Sequence, residues 1–214
     1  MKKIMSMLLG ATVCLSMLGY AKERVRVVPP IDEHGFWVGE KAENEHVFDA
    51  PLAAALQEFF SNERAGTIVD FGCGMGNYAK TFLGSGFYCE AYDGNPETPK
   101  LTDGVGKVQD LSVPFDLGKK FDWVMCLEVG EHIPKEYEAQ VIANLDQHVG
   151  QGIVLSWAVE GQPGYGHINC RNNDYIKKIF SDLGYVNDVE AEQKLRSAAK
   201  FWWFKKTIMV FRKM

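Results

Sequence analysis

The chain has 214 residues, of which 46% are hydrophobic, and it contains no internal repeat or long polar tract. This length and composition favour one globular domain with a sizeable core over two domains. The formal net charge of −5 offers no general attraction to phosphate backbones and therefore argues against a nucleic-acid substrate.

The first 21 residues differ in character from the rest of the chain. Two lysines precede an apolar stretch over residues 4–18, and Gly19 and Ala21 then supply small residues for a cleavage site. This order is typical of a secretory signal peptide over residues 1–21, and the stretch is shorter than the ~20 residues of a usual membrane span. We expect an exported protein without a transmembrane span in its mature chain. A membrane-anchored or cytoplasmic chain that keeps this segment is the alternative.

The next residues, 22–46, contain two adjacent prolines and several charges, and they are interpreted as an irregular arm or lid. A helix is predicted over residues 46–60, because Asp49 is a favourable N-cap and Pro51 falls in the first turn. Apolar stretches then predict the following elements in chain order: strand 67–72, helix 77–84, strand 87–92, strand 105–109, strand 122–127, helix 134–148, strand 152–158, helix 173–183 and strand 207–211. Their alternation predicts an α/β fold with a mostly parallel sheet covered on both faces.

The C-terminal segment, residues 200–213, interleaves lysines with aromatic side chains. We interpret it as an edge strand with solvated lysines and core-facing aromatic residues, because edge strands often carry lysine against mispairing. A platform for nucleic acid is the alternative interpretation.

Strand 67–72 leads into three alternate glycines, Gly72, Gly74 and Gly76. Glycines allow close approach of a ligand to the backbone, and the helix that follows presents free N–H groups. The spacing is G-x-G-x-G and not the dinucleotide fingerprint G-x-G-x-x-G, since Asn77 stands where the last glycine belongs, and no P-loop lysine is present. Asp70 precedes the first glycine and Asp93 ends the next apolar run. This arrangement predicts a site for a nucleotide cofactor with its ribose near Asp93.

Two polar segments follow later strands of the predicted sheet, where open α/β sheets bind their ligands. Glu128, Glu131 and His132 form an E-x-x-E-H pattern directly after Leu127, and a glycine-rich loop over residues 161–169 brings His167 to the same edge. Two carboxylates and an imidazole suit a divalent metal, or alternatively an acid/base pair.

The ordered motifs resemble the class I S-adenosylmethionine (SAM) dependent methyltransferases, whose first motif is an acidic residue followed by G-x-G-x-G. The resemblance covers roughly residues 47–212 and implies one methyltransferase domain over residues 47–214. It also implies a three-layer sandwich with a seven-stranded, mostly parallel sheet and an antiparallel C-terminal strand.

The resemblance further implies SAM as the cofactor and assigns residues to its parts. Asp70 and the three glycines would face the methionine part, and Asp93 would accept hydrogen bonds from both ribose hydroxyls. Asp110 and Leu111 would lie against the adenine, and Leu127 would end the fourth strand beside the cofactor.

The E-x-x-E-H pattern resembles the ubiquinone-pathway O-methyltransferases and the plant-type small-RNA 2′-O-methyltransferases. In the latter a further histidine completes a magnesium site, which implies a magnesium or manganese site made by Glu128, Glu131, His132 and His167. The alternative is a turn without metal, in which Glu131, His132 and His167 act on the substrate or its proton.

The function predicted from these residues is SAM-dependent methyl transfer to a small molecule, with a hydroxyl oxygen as the acceptor, with or without a metal. Trp37, Trp157 and Tyr165 could form an aromatic mouth, which favours a small organic acceptor over a polymer. Two alternatives stay open, a SAM-binding module without catalysis and a NAD-type oxidoreductase.

Overall fold

A computed structural model describes residues 28–214 of the chain. The expected signal peptide over residues 1–21 and the beginning of the predicted arm lie outside the described residues, so export stays a prediction. Within residues 28–214, no helix is both long and apolar enough to cross a bilayer.

Seven strands form one mixed sheet in the order β3-β2-β1-β4-β5-β7-β6. Only β7 runs antiparallel to its neighbours, which are β5 and β6. The predicted mostly parallel sheet with an antiparallel C-terminal strand is therefore confirmed. The strands are β1 (Thr67–Phe71), β2 (Tyr88–Asp93), β3 (Gly106–Val108), β4 (Phe121–Leu127), β5 (Val149–Ser156), β6 (Tyr185–Asn187) and β7 (Met209–Lys213).

Helices cover both faces of this sheet. They are α1 (Ala50–Asn62), α2 (Asn77–Gly84), α3 (Thr98–Leu101), α4 (Glu138–His148), α5 (Asn173–Asp182), α6 (Val189–Ala198) and α7 (Phe204–Thr207), with 3-10 turns at Glu40–Asn44 and Lys135–Tyr137. In α1 the fully buried side chains recur every fourth residue, at Leu52, Leu56 and Phe60, so one face of the helix packs on the sheet.

The core has two halves because successive strand residues point to opposite faces of the sheet. In β4, Val124 and Cys126 join the cluster under α4 and α5, whereas Trp123 and Met125 join the cluster under α1, α2 and α6. This division is the three-layer sandwich that was predicted.

The helix predicted over residues 134–148 is present as α4, but it begins at Glu138 after the 3-10 turn at Lys135–Tyr137, and Pro134 lies outside it with an extended ψ of 142°. One interpretation of the sequence is wrong. The segment 200–213 is not an edge strand, since β6 pairs with the outer side of β7. Strand β6 was not predicted because its three residues are too few to show an alternation.

Candidate active site

The glycine loop connects β1 to α2 and has a left-handed backbone at each glycine, with φ of 77° at Gly72, 52° at Gly74 and 66° at Gly76. A Cβ on Gly72 would lie 2.2 Å from Val129 Cγ2, and one on Gly74 would lie 2.6 Å from the imidazole of His46. Side chains at these positions are therefore excluded both by the backbone and by the neighbours.

A cavity of about 340 Å³ opens beside this loop at the carboxyl ends of the strands. A volume of this size suits a small-molecule ligand. Most of the predicted cofactor residues line it: Asp70, Gly72, Gly74, Asp93, Leu111 and Leu127. The cavity wall, as far as the described residues form it, does not include Gly76 or Asp110. These two residues, predicted to contact the cofactor, therefore lie outside it.

Asp70 is almost fully buried, and its Oδ2 has no hydrogen-bond partner among the described residues. Burial, and secondly the charge of Asp93, raise the pKa of Asp70 to about 8. A buried carboxylate without a partner fits a cationic ligand, and SAM carries a sulfonium and an ammonium group. Asp93 accepts the N–H of Gly74 at 2.9 Å and that of Asn95 at 3.0 Å, which orients its carboxylate beside the loop.

Asp110 instead contacts the N-terminal arm. Its carboxylate hydrogen-bonds His34 Nδ1 through one oxygen and accepts the N–H of Ser112 through the other, at 2.8 Å. The hydrogen bond with Asp110 is the main cause that raises the pKa of His34. Asp110 therefore fastens the arm next to the cavity, and neighbouring Leu111 supplies the apolar wall.

The described part of the predicted arm covers the cavity. Phe36 packs closely against Gly94, since a Cβ added to Gly94 would lie 2.4 Å from the Phe36 ring. The Trp37 ring contacts two imidazoles, with its centroid 4.9 Å from that of His46 and 5.1 Å from that of His132. These contacts place the arm residues where a lid would lie.

Three of the four predicted metal-binding residues come together. One side-chain ligand atom from each of Glu131, His132 and His167 lies within 4.8 Å of the other two. His167 Nε2 is 4.0 Å from Glu131 Oε1, and the two imidazole centroids are 5.0 Å apart. Both histidines line the cavity, and Glu131 is buried behind them.

The protonation of this cluster follows from its burial. Neither carboxylate oxygen of Glu131 has a hydrogen-bond partner of ordinary geometry among the described residues. Burial first, and then the charge of Glu128, raise the pKa of Glu131 well above its usual value. Burial and the neighbouring His167 lower the pKa of His132 to about 4, so His132 is neutral at pH 7.

Glu128 lies beside the cluster and not in it. Its carboxylate accepts hydrogen bonds from Thr207 Oγ1 at 3.0 Å and from Gln162 Nε2 at 2.8 Å. Burial is the first cause that raises the pKa of this carboxyl. The structure therefore brings the ligand atoms of Glu131, His132 and His167 together, whereas the carboxylate of Glu128 is held by Thr207 and Gln162.

The cavity wall also includes residues that sequence reasoning missed. His46, which was not singled out in the sequence, lines the cavity, as do Gln162 and Trp203. Trp157, predicted for the aromatic mouth, is instead fully buried and donates its indole N–H to Asn169 O at 2.7 Å. No sequence motif marks His46, because α1 and the arm bring it to the loop through tertiary packing.

Comparisons with known proteins agree with this geometry. A family model described as a methyltransferase domain matches residues 44–156, slightly more than half of the chain. A ubiquinone biosynthesis O-methyltransferase of Rickettsia conorii is 28% identical over 143 residues, which are 63% of this chain and 49% of that protein. The chain thus spans about half the length of this curated relative.

Solved structures share the fold. The SAM-bound magnesium protoporphyrin IX methyltransferase of Synechocystis PCC 6803 superposes with a TM-score of 0.58 at 19% identity, covering 76% of this chain and 78% of that one. SAM-bound CalS10, an amino pentose methyltransferase of Micromonospora echinaspora, gives a TM-score of 0.59 at 16% identity, covering 76% and 90%. Together with the family match over the glycine loop, these findings show that the chain belongs to the class I SAM-dependent methyltransferases.

Proposed function

We propose that this methyltransferase transfers the methyl group of SAM to a hydroxyl oxygen of a small molecule, and that Glu131, His132 and His167 manage the hydroxyl proton. The observation that carries the proposal is the position of this cluster, since both histidines line the same cavity as the glycine loop. The curated relative named for O-methyl transfer supports oxygen as the acceptor atom.

The cofactor residues of the proposal are those on the cavity wall. Asp70 would balance the positive charge of SAM, Asp93 would accept from the ribose hydroxyls, and Leu111 would pack on the adenine. When bound, SAM supplies an electrophilic methyl group, so the protein must hold the acceptor in line and exclude water. The arm residues Phe36 and Trp37 serve that exclusion by covering the cavity.

His167 is the proposed base. Its Nδ1 lies 3.1 Å from Gln162 O, and because a carbonyl only accepts, the proton belongs on Nδ1 and the lone pair on Nε2. The low pKa of His132, about 4, makes it the weaker base at neutral pH. Glu131 would stabilise the charged imidazole that forms on His167, from 4.0 Å.

A divalent ion is compatible with the same residues. Glu131, His132 and His167 would hold it, and the observation that fits such a group is the buried Glu131 carboxylate, which has no hydrogen-bond partner of ordinary geometry among the described residues. The ion would act as a Lewis acid and lower the pKa of the acceptor hydroxyl. One carboxylate with two imidazoles is a set that manganese accepts more readily than magnesium, which prefers oxygen ligands, so manganese is the first ion to test.

A small acceptor is proposed because the cavity of about 340 Å³ would have to hold SAM as well as the acceptor and lies under the arm. Trp37 and Tyr165 on its wall, with ring centroids 6.4 Å apart, offer flat apolar surfaces to such a molecule. The division into an arm up to residue 46 and a methyltransferase domain over residues 47–214 is part of this proposal.

The test is a screen of hydroxyl- and amine-bearing small molecules with methyl-labelled SAM and the full chain, with and without manganese or magnesium. We expect label in an ether bond of a hydroxyl compound. The Asp93→Ala variant is the control, because labelling that depends on the cavity should fall with the loss of the ribose acceptor. Label that enters only amines or carbon atoms would reject oxygen as the acceptor.

A further inference from the structure

Gln162 lies in the loop between β5 and α5, lines the cavity and is 8% exposed. Its backbone N–H donates to Val159 O at 2.9 Å, which closes a tight turn. Its side-chain Nε2 donates to Glu128 Oε2 at 2.8 Å, and its backbone oxygen accepts from His167 Nδ1 at 3.1 Å. One residue therefore joins the end of β4 to the imidazole that faces the cavity.

Glu128 is a firm anchor for that residue. Its backbone is left-handed, with φ 54°, a conformation that is costly for a side chain other than glycine or asparagine and persists only where the surroundings impose it. The N–H of Glu128 donates to Ser156 Oγ at 2.8 Å, and its second carboxylate oxygen accepts from Thr207 at 3.0 Å. Ser156 in β5 thus holds the backbone of Glu128, and Thr207 in α7 holds its carboxylate, in place for Gln162.

The imidazole of His167 is confined on its other sides as well. A Cβ on Gly164 would lie 2.0 Å from His167 Nε2, so the ring packs directly against the backbone there. The loop beyond it is fastened to the cluster, because the N–H groups of Ile168 and Asn169 both donate to Glu131 O at 2.9 Å. In this orientation Nδ1 faces Gln162 O, with Cys170 Sγ 3.9 Å away, and Nε2 faces Glu131.

We propose that Gln162, held by Glu128, is a positioning residue that fixes the tautomer of His167, with the proton on Nδ1 and the lone pair of Nε2 facing Glu131 and the cavity. In this assignment Glu128 is the anchor of the loop, because Gln162 and Thr207 each donate to one of its carboxylate oxygens. The catalytic consequence rests on the proposed function, whereas the tautomer itself does not.

The tautomer can be read by NMR from the nitrogen chemical shifts of 15N-labelled histidine in the full chain, saturated with SAM and treated with chelator. Two variants break the bridge in different ways. Gln162→Met keeps the length of the side chain but removes its amide, and Glu128→Asn tolerates the left-handed backbone but is too short to reach Gln162. Thr207→Val is the matched control, because it removes the other hydrogen bond of Glu128 and leaves Gln162 intact.

We expect the wild-type chain and Thr207→Val to show His167 protonated on Nδ1 only. Both bridge variants should show a mixture of the two tautomers, with SAM affinity unchanged by calorimetry. With an acceptor from the screen, kcat of both variants should fall about tenfold, because only part of the population keeps Nε2 free as the base.

Several outcomes would overturn the assignment. A wild-type His167 protonated on Nε2 would do so even if neither variant folds. An unchanged tautomer in Gln162→Met, or an equal change in Thr207→Val, would also overturn it. Because the spectra need no acceptor and no turnover, these outcomes differ from a failure of the proposed O-methyl transfer, which would leave the tautomer intact.

Discussion

Asp70 is the residue with the clearest electrostatic consequence. Burial raises the pKa of its carboxyl from 3.8 to about 8, so in the free protein it is mostly protonated at pH 7. A bound cation favours the ionised form, and SAM binding should therefore release a proton. In the free protein the same shift lowers stability as the pH rises from about 4 to about 8, since the folded state disfavours the charged form.

We predict that SAM affinity rises with pH between about pH 6 and pH 8 and levels off above that, as Asp70 ionises. Calorimetry in two buffers of different ionisation enthalpy measures both the affinity and the released proton. Asp70→Asn is the control, because it should abolish the proton release from residue 70 and flatten the dependence of SAM affinity on pH. Any dependence that remains would come from the amino group of SAM itself. Equal profiles for the wild type and the variant would contradict the prediction.

Glu131 separates the metal hypothesis from the acid/base hypothesis. If a divalent ion acts there, chelation should abolish turnover while SAM affinity and thermal stability change little, and Glu131→Gln should have the same effect as chelation. The fold should tolerate this variant, because the neutral amide removes a buried carboxylate that has no hydrogen-bond partner among the described residues. Turnover that persists in excess chelator but falls in His167→Ala would leave proton transfer as the role of the cluster.

Among the elements, α1 depends on a single carboxylate. Asp49 is fully buried, and its Oδ1 caps the helix by accepting the N–H of Leu52 at 3.0 Å. Its Oδ2 accepts the N–H groups of Lys200 and Phe201, both at 2.8 Å. The cap therefore also joins α1 to the segment that leads into α7, whose residue Phe204 lines the cavity.

We predict that Asp49→Ala lowers the free energy of unfolding by about 3 kcal/mol, because it removes a helix cap and leaves further N–H groups without an acceptor. Urea unfolding followed by circular dichroism measures the change. Asp49→Asn is the matched variant, since its amide oxygen can still cap the helix while its NH₂ group faces two donors. We expect an intermediate loss for it. A loss in Asp49→Asn as large as that in Asp49→Ala would show that the bonds to Lys200 and Phe201 dominate.

At the scale of the whole molecule, the arm and the domain meet through several polar contacts besides the His34–Asp110 hydrogen bond. Asn95 exchanges two hydrogen bonds with the backbone of Gly39, both at 3.0 Å. Lys100 forms an ion pair with Glu40, and both of these side chains are largely exposed. Since exposed ion pairs contribute little, the bonds of Asn95 should hold the arm over the cavity more firmly.

We predict that Asn95→Ala raises the dissociation rate of SAM about fivefold to tenfold, because two hydrogen bonds that keep the arm closed are lost. Stopped-flow displacement of SAM measures the rate. Lys100→Ala is the control, and its rate should stay within about twofold of the wild type. Equal rates in Asn95→Ala and the wild type would show that the arm does not limit cofactor release.

The sequence by itself determined the fold class and the cofactor loop. Alternate glycines after a β-branched strand, with Asp70 before them and Asp93 after the next strand, are local signals that need no tertiary contact. Their spacing alone identified the loop, and the left-handed φ of all three glycines agrees with it. The alternation of strands and helices likewise predicted the sheet, because a strand that is buried on both faces is a short, nearly continuous apolar run that is visible in the chain.

Only the tertiary structure decided which polar residues meet. Glu128 and Glu131 are three positions apart and looked equivalent in the sequence, but Gln162 and Thr207 hold Glu128 while Glu131 joins the two histidines. Tertiary packing also brings His46 and the arm residues Phe36 and Trp37 to the cavity. Hydrogen-bond partners that lie tens of residues away leave no local pattern, because the fold and not the spacing brings them within reach.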